Sequence, residues 1–234
     1  MNVCCGEDMK VRGKLIAIEG IDGAGKTTVA RYVYGFLTNH GYRCSLFKEP
    51  SNSFYGRAIK KAMKKAIKNP SALINPKIEL MLFLKDREVN VKKRILPALR
   101  KGLIVIMDRY YYSNIAYQSV RGLSADWIRK LNEKIAPKPD LVILLDLSAE
   151  KAMERIESRG ECSIYEETEF LERVRRRFLE IADERTVIIN AERELDVVKK
   201  EAAQIALLFA KKVFGDVIKQ KNKVMLGCYG GKRL

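Results

Sequence analysis

Residues 20–27 read Gly20-Ile21-Asp22-Gly23-Ala24-Gly25-Lys26-Thr27, an uninterrupted G-x-x-x-x-G-K-T. They follow the apolar run 14–19 (KLIAIE) and precede a stretch, 26–40, with the apolar spacing of a helix. Few short motifs constrain a fold so tightly. This one needs a strand to end, a loop to curl its backbone N–H groups around an anion, and a helix to begin, all within one short segment. A side chain at Gly25 would intrude where a phosphate sits. The lysine is placed to reach the β- and γ-phosphates of a nucleotide, and Thr27 to reach a magnesium ion. Gly20, Ile21, Asp22, Gly23, Ala24, Gly25, Lys26, Thr27 and Thr28 are therefore the expected ATP-binding segment, with Lys26 as its catalytic cation.

The rest of the chain supplies the setting that such a loop requires. Short β-branched runs at 14–19, 43–48, 103–108, 140–146 and 186–190 alternate with amphipathic stretches at 26–40, 54–68, 76–101, 124–136, 149–159, 169–185 and 194–214. That alternation predicts an α/β protein of P-loop NTPase type, a five-stranded parallel sheet flanked by helices, with a short lid at about 160–168. The expected division is a peripheral extension over 1–12, one P-loop domain over 13–215 and a Lys- and Gly-rich tail over 216–234. Ala58, Ile59, Ala62, Met63, Ala66 and Ile67 lie along one stripe of RAIKKAMKKAIKN, with cations elsewhere. Small and medium side chains in that stripe read as an ordinary surface helix laid on the core.

Lysine and arginine number 45 against 29 aspartates and glutamates, a net charge of +16, so polyanions are attracted to this surface. Charge alone does not separate nucleotides from nucleic acid. The five cysteines (Cys4, Cys5, Cys44, Cys162, Cys228) show no zinc-ligand spacing and His40 is the sole histidine, which predicts no structural metal and a reducing, cytoplasmic setting. No apolar run approaches the ~20 residues of a membrane span, and the first residues lack the apolar core of a secretory signal, so no membrane association is expected.

A second block points to chemistry. The run 103–108 ends in Asp108-Arg109-Tyr110 and continues to Ser113-Asn114 and Tyr117-Gln118. An aspartate at the carboxyl end of a parallel strand lies on the edge where open α/β sheets collect ligands. Asp108 can hold the hydration shell of magnesium, and Arg109 can clamp a phosphate through two N–H groups.

Taken with the Lys48-Glu49-Pro50 turn and with Leu82-Phe83-Leu84-Lys85-Asp86-Arg87, these blocks resemble the thymidylate kinase family over about 14–214. The resemblance implies transfer of the γ-phosphoryl group of ATP to dTMP, with magnesium as cofactor and a homodimer formed by helix packing. It implies a dTMP site of Asp22, Lys48, Phe83, Arg87, Arg109, Asn114, Tyr117 and Gln118. Phe83 would stack on the base and Arg87 would meet its carbonyl edge. Asn114 would bond N3–H, Tyr117 would crowd the 2′ position, and Lys48 and Arg109 would neutralise the acceptor phosphate. Asp22 would lie by the 3′-hydroxyl, and backbone groups at Ala191 would contact the adenine.

This chain has glycine at position 23, where some members carry an arginine, and the expected lid holds three glutamates and no base. The transition-state charge is therefore expected to fall to Arg159, aided by Arg155, with Arg173 and Arg177 as the next candidates. Two other readings stay open from sequence. One is a related kinase with a different acceptor such as dUMP. The other is a nucleic-acid-stimulated ATPase, although aromatic RNA-binding motifs are missing and nucleic acid is not an expected partner.

Overall fold

The computed structural model describes residues 12–158 and 168–216; Arg159 and nearly all of the expected lid, with 1–11 and 217–234, lie outside them. Strands β1 (Lys14–Glu19), β2 (Cys44–Lys48), β3 (Ile104–Asp108), β4 (Leu141–Asp146) and β5 (Thr186–Asn190) form one parallel sheet in the order β2-β3-β1-β4-β5. Position in that order explains composition. The inner strands β3, β1 and β4 are buried almost throughout and read as continuous apolar runs, whereas β2 and β5 at the edges keep partial exposure.

Helices α1 (Lys26–Asn39), α2 (Phe54–Lys68), α3 (Pro76–Asn90), α4 (Leu96–Arg100), α5 (Tyr111–Val120), α6 (Ala125–Glu133), α7 (Ala149–Glu157), α8 (Thr168–Glu180) and α9 (Leu195–Phe214) surround the sheet. α9 packs on α1, α2 on α3, and α5 on both α6 and α8. In α2, Ile59 and Ala66 of that stripe are buried and Ala58, Ala62 and Met63 are half-buried, as in an ordinary surface helix. No helix among the described residues is long and apolar enough to cross a membrane.

Two expectations need correction. The helix anticipated over 76–101 is interrupted by a π-helical turn at Val91–Ile95 before α4 begins. Pro97 is the physical reason: it has no N–H, and its ring collides with the preceding turn of a regular helix, a conflict that a wider turn relieves. The second correction is α5, which the sequence reading left without a helix. Tyr111 through Gln118 are all buried and the polar Ser113, Asn114 and Gln118 face inward, so the segment has no solvent-exposed face against which an apolar period could show.

The register brings the site together. Asp108 of β3 pairs with Ile18 of β1 on one side and Lys48 of β2 on the other, so three strands end level at one edge.

Candidate active site

The phosphate loop leaves β1 at Glu19 and turns into α1 through Gly25, which has φ +90° and is the N-cap residue of that helix. Only glycine takes that conformation cheaply. Gly23, with φ +80°, is constrained twice: a Cβ there would stand 2.6 Å from the carbonyl oxygen of Ala152 in α7. The packing of α7 against the loop thus excludes a side chain at 23, and an arginine cannot be supplied from that position in this chain.

Lys26 is buried and its Nζ donates to the Ile21 carbonyl at 2.5 Å, folded back inside its own loop. Burial first, and then the neighbouring Arg109 cation, lower its pKa to about 7, while Asp22, Asp108 and Glu19 oppose the shift. Thr27 donates through Oγ1 to Asp108 Oδ2 at 2.6 Å. Lys48 Nζ stands 2.8 Å from Thr27 Oγ1 and 3.0 Å from Asp108 Oδ2. Asp108 Oδ1 is buried without a hydrogen-bond partner among the described residues. The Thr27 hydroxyl and the Asp108 carboxylate, one of whose oxygens is buried and unpartnered, are hard donors of the kind magnesium takes. No cluster of three or more His, Cys, Asp or Glu side chains able to hold a metal occurs among the described residues.

Arg109 is the hinge of the site. It is the sole non-glycine described residue with a left-handed backbone, φ 70°, a conformation that costs of order 1 kcal/mol. Its guanidinium pairs with Asp22 of the phosphate loop and lies 5.9 Å from the Tyr117 ring centroid. The Tyr117 hydroxyl donates to Asp22 Oδ2 at 3.1 Å and accepts from the Asp22 N–H at 3.0 Å. Burial works to raise the Asp22 pKa, but Arg109, Lys26 and Tyr117 outweigh it and hold Asp22 as a carboxylate. The same anion helps to raise the Arg109 pKa against the opposing effect of burial.

Beside this pair opens a pocket lined by Asp22, Phe83, Arg87, Arg109, Asn114, Tyr117 and Gln118. Of the residues expected to bind dTMP, these seven converge there. Lys48 does not line it and faces the neighbouring cleft with Thr27 and Asp108. Arg87 is fully buried and already committed. Nε and Nη2 both donate to Glu49 Oε2, and Nη1 donates to Asn114 Oδ1 and Asn132 Oδ1. Four of its five N–H groups are thereby used, leaving one for a ligand carbonyl. Burial raises the Glu49 pKa, with Arg87 and Asn90 acting against the rise.

The donor side is less complete. Ala191 N–H donates to the Asp146 carbonyl at 2.7 Å, and its own carbonyl accepts from Arg155 Nη2 at 3.0 Å. Arg155 is therefore held at the turn expected to flank the adenine. Arg159 lies outside the described residues. In α8, Arg173 sits 5.8 Å from the Phe170 ring centroid and Arg177 pairs with Glu180, while Arg175, which sequence reasoning passed over, grips Asp146 at 2.6 and 3.0 Å.

Sequence reasoning also missed several supporting anions. Glu19 accepts from the N–H groups of Tyr110 and Ser113 and from Ser113 Oγ, capping α5 from another strand. Asp86 takes Ser51 N–H at 2.7 Å together with both the Ser51 and Ser53 hydroxyls, fixing the turn before α2. The available signal was a charged residue next to an apolar run or inside a motif block.

A glycine-rich loop feeding α1 at the carboxyl edge of this parallel sheet, with a second polar pocket against it, defines a P-loop protein of the nucleotide kinase type. The family model described as thymidylate kinase matches residues 18–202. A probable thymidylate kinase of Archaeoglobus fulgidus is 51% identical over 191 residues, covering 82% of this chain and 93% of that one. Another, of Pyrococcus abyssi, is 40% identical over 194 residues, with 82% and 94% covered. One from Sulfurisphaera tokodaii is 38% identical over 199 residues, covering 85% and 98%. The chain belongs to the thymidylate kinase family.

Proposed function

We propose that this protein transfers the γ-phosphoryl group of ATP to dTMP, giving dTDP, with magnesium as its metal and the cytoplasm as its setting. The observation that carries the reading is the pairing of Asp22 with Arg109. It joins the phosphate loop to a buried pocket of pyrimidine-binding character, so donor and acceptor meet across one ion pair.

The roles follow from chemistry at each position. Phosphate oxygens of ATP replace the Ile21 carbonyl as the partner of Lys26, and their charge restores the ammonium that burial depresses. Arg109 turns from Asp22 to the acceptor phosphate, and Lys48 approaches the same phosphate from the adjoining cleft. Asp22, relieved of its cation, accepts from the deoxyribose 3′-hydroxyl. Phe83 offers a ring face to the base, and Tyr117 closes the space that a 2′-hydroxyl needs. Thr27 and Asp108 would hold magnesium, which when bound neutralises and orients phosphate oxygens. Attack is in line, and positioning with electrostatic stabilisation supplies the catalysis. Ile78 and Met81, exposed one turn apart on α3, support a homodimer through that face.

A coupled assay with ATP and a panel of dTMP, dUMP, dCMP and AMP tests the reading. dTMP is expected to be the best acceptor, with dUMP weaker because a methyl group in an apolar pocket contributes about 1–3 kcal/mol. Equal turnover of AMP overturns it.

A further inference from the structure

The base pocket is crossed by a directed chain of hydrogen bonds whose ends carry opposite charges. Arg87 Nη1 donates to Asn114 Oδ1 at one end. Asn114 Nδ2 donates to Gln118 Oε1 at 3.1 Å, and Gln118 Nε2 donates to Glu79 Oε2 at 3.2 Å at the other. All four side chains are buried and line the pocket. Glu79 is held from behind by Arg121, whose Nη2 also donates to the Ile74 carbonyl at 2.6 Å.

The direction of this chain fixes which way each amide faces. A carboxylate only accepts and a guanidinium only donates. Turning Gln118 over would set its carbonyl against Glu79, and turning Asn114 over would set its NH2 against Arg87. The two amides are bonded to each other, so one cannot turn without breaking that bond or taking the other with it.

Amide orientation is also the distinction between the pyrimidines. Asn114 retains one lone pair on Oδ1 and one hydrogen on Nδ2, an acceptor beside a donor. Thymine and uracil present N3–H beside a carbonyl, which matches that pair. Cytosine presents a bare N3 beside an amino group, which matches only the reversed amide. A buried site built for one pattern leaves polar groups unpaired with the other, and such mismatches reach about 10⁴ in discrimination.

We propose that Glu79 is a positioning residue for base choice: through Gln118 it locks the Asn114 amide in the orientation that accepts thymine or uracil and rejects cytosine. This rests on the reading of Asn114 as the residue that meets the base edge. Glu79 acts here through Gln118, and its effect is on selection rather than on phosphoryl transfer.

The test compares kcat/KM for dTMP and dCMP in the wild type, Glu79→Gln and Gln118→Met, with thermal midpoints recorded for each. A glutamine at 79 can donate or accept and so frees Gln118 to turn. Methionine at 118 cuts the chain in the middle while leaving the Glu79–Arg121 pair intact, and it carries the test should the first variant fold poorly. In both, the dTMP:dCMP ratio is expected to narrow at least about tenfold. The change should lie mainly in KM, since base contacts are made in ground and transition states alike. A ratio that stays at the wild-type value in folded variants overturns the relay. So does an equal loss for both acceptors, which marks a purely structural role. A wild type that shows no preference for dTMP over dCMP refutes the base-pocket reading itself and the relay with it.

Discussion

Glu19 is a carboxyl at the end of β1 with no exposure at all, and its removal by Glu19→Gln isolates one buried charge. Burial pushes its pKa up from 4.5 to about 7, while the Ser113 hydroxyl, the Tyr110 and Ser113 N–H groups and the Arg109 cation limit the rise. In the unfolded chain it titrates near 4.5. Between those two pH values the native state binds more protons than the unfolded state, so stability falls as pH rises. The contribution is fully present below 4.5 and lost once pH passes about 7. At about 1.4 kcal/mol per pH unit, the interval from 4.5 to about 7 corresponds to roughly 3 kcal/mol. Glutamine keeps an acceptor for the Tyr110 N–H, and the Ser113 hydroxyl can rotate to accept from the new amide, so α5 keeps its cap. Urea unfolding of both proteins at pH 5, 6, 7 and 8 gives the comparison, with equal m-values as the check that the unfolded states match. Relative to wild type, the variant is expected to gain about 2.5 kcal/mol between pH 5 and pH 8, part of the effect being already lost at pH 5. Titrating groups that Glu19 does not influence cancel in that difference. Parallel stability curves for the two proteins across this range would refute the reasoning.

Three further outcomes follow from the site. Because Lys26 is depressed to about 7 in the free protein, ATP binding at pH 8 is expected to take up a proton, seen as a buffer-dependent calorimetric enthalpy. Lys26→Met should abolish both the uptake and phosphoryl transfer while remaining folded; an active variant contradicts the phosphate-loop mechanism. Gly23→Ala is expected to cost roughly 1–3 kcal/mol, from its φ and its approach to Ala152, and an unchanged thermal midpoint contradicts that. Arg155→Ala, which frees the Ala191 carbonyl, should raise KM for ATP more than it lowers kcat, whereas Arg159→Ala should lower kcat by about 10² or more. An unaltered kcat in Arg159→Ala moves the catalytic cation to α8.

The sheet was readable because each inner strand is a saturated apolar run and the phosphate loop supplies a fixed starting point. α5 was unreadable for the opposite reason. A helix buried on every side has no period, and its cap comes from Glu19, distant in sequence. The same limit applies to the pocket. Asn114, Tyr117 and Gln118 could be named from their block, but not the anions that orient them. Glu49 against Arg87 and Glu79 against Gln118 pair across different elements, so nothing local marks the pairing, even where the Lys48-Glu49-Pro50 block marks Glu49 itself.

Those partners decide what the named residues can do. An isolated Arg87 would offer five donors to any ligand, but Glu49, Asn132 and Asn114 take four and leave one. An isolated Arg109 would be a free phosphate clamp, but here Asp22 already holds it, so an acceptor phosphate must compete with a carboxylate for the same guanidinium. In the proposed reaction, winning that competition would cost dTMP part of its binding energy and leave Asp22 short of a cation. Lys26 also acts electrostatically on Asp22, and ATP, bound as proposed, would draw that charge toward its own phosphates. Each substrate therefore alters an ion the other depends on. Under the proposed roles, the effect of ATP on dTMP affinity equals by linkage the effect of dTMP on ATP affinity, and the aspartate between the two sites is the residue that would carry the coupling.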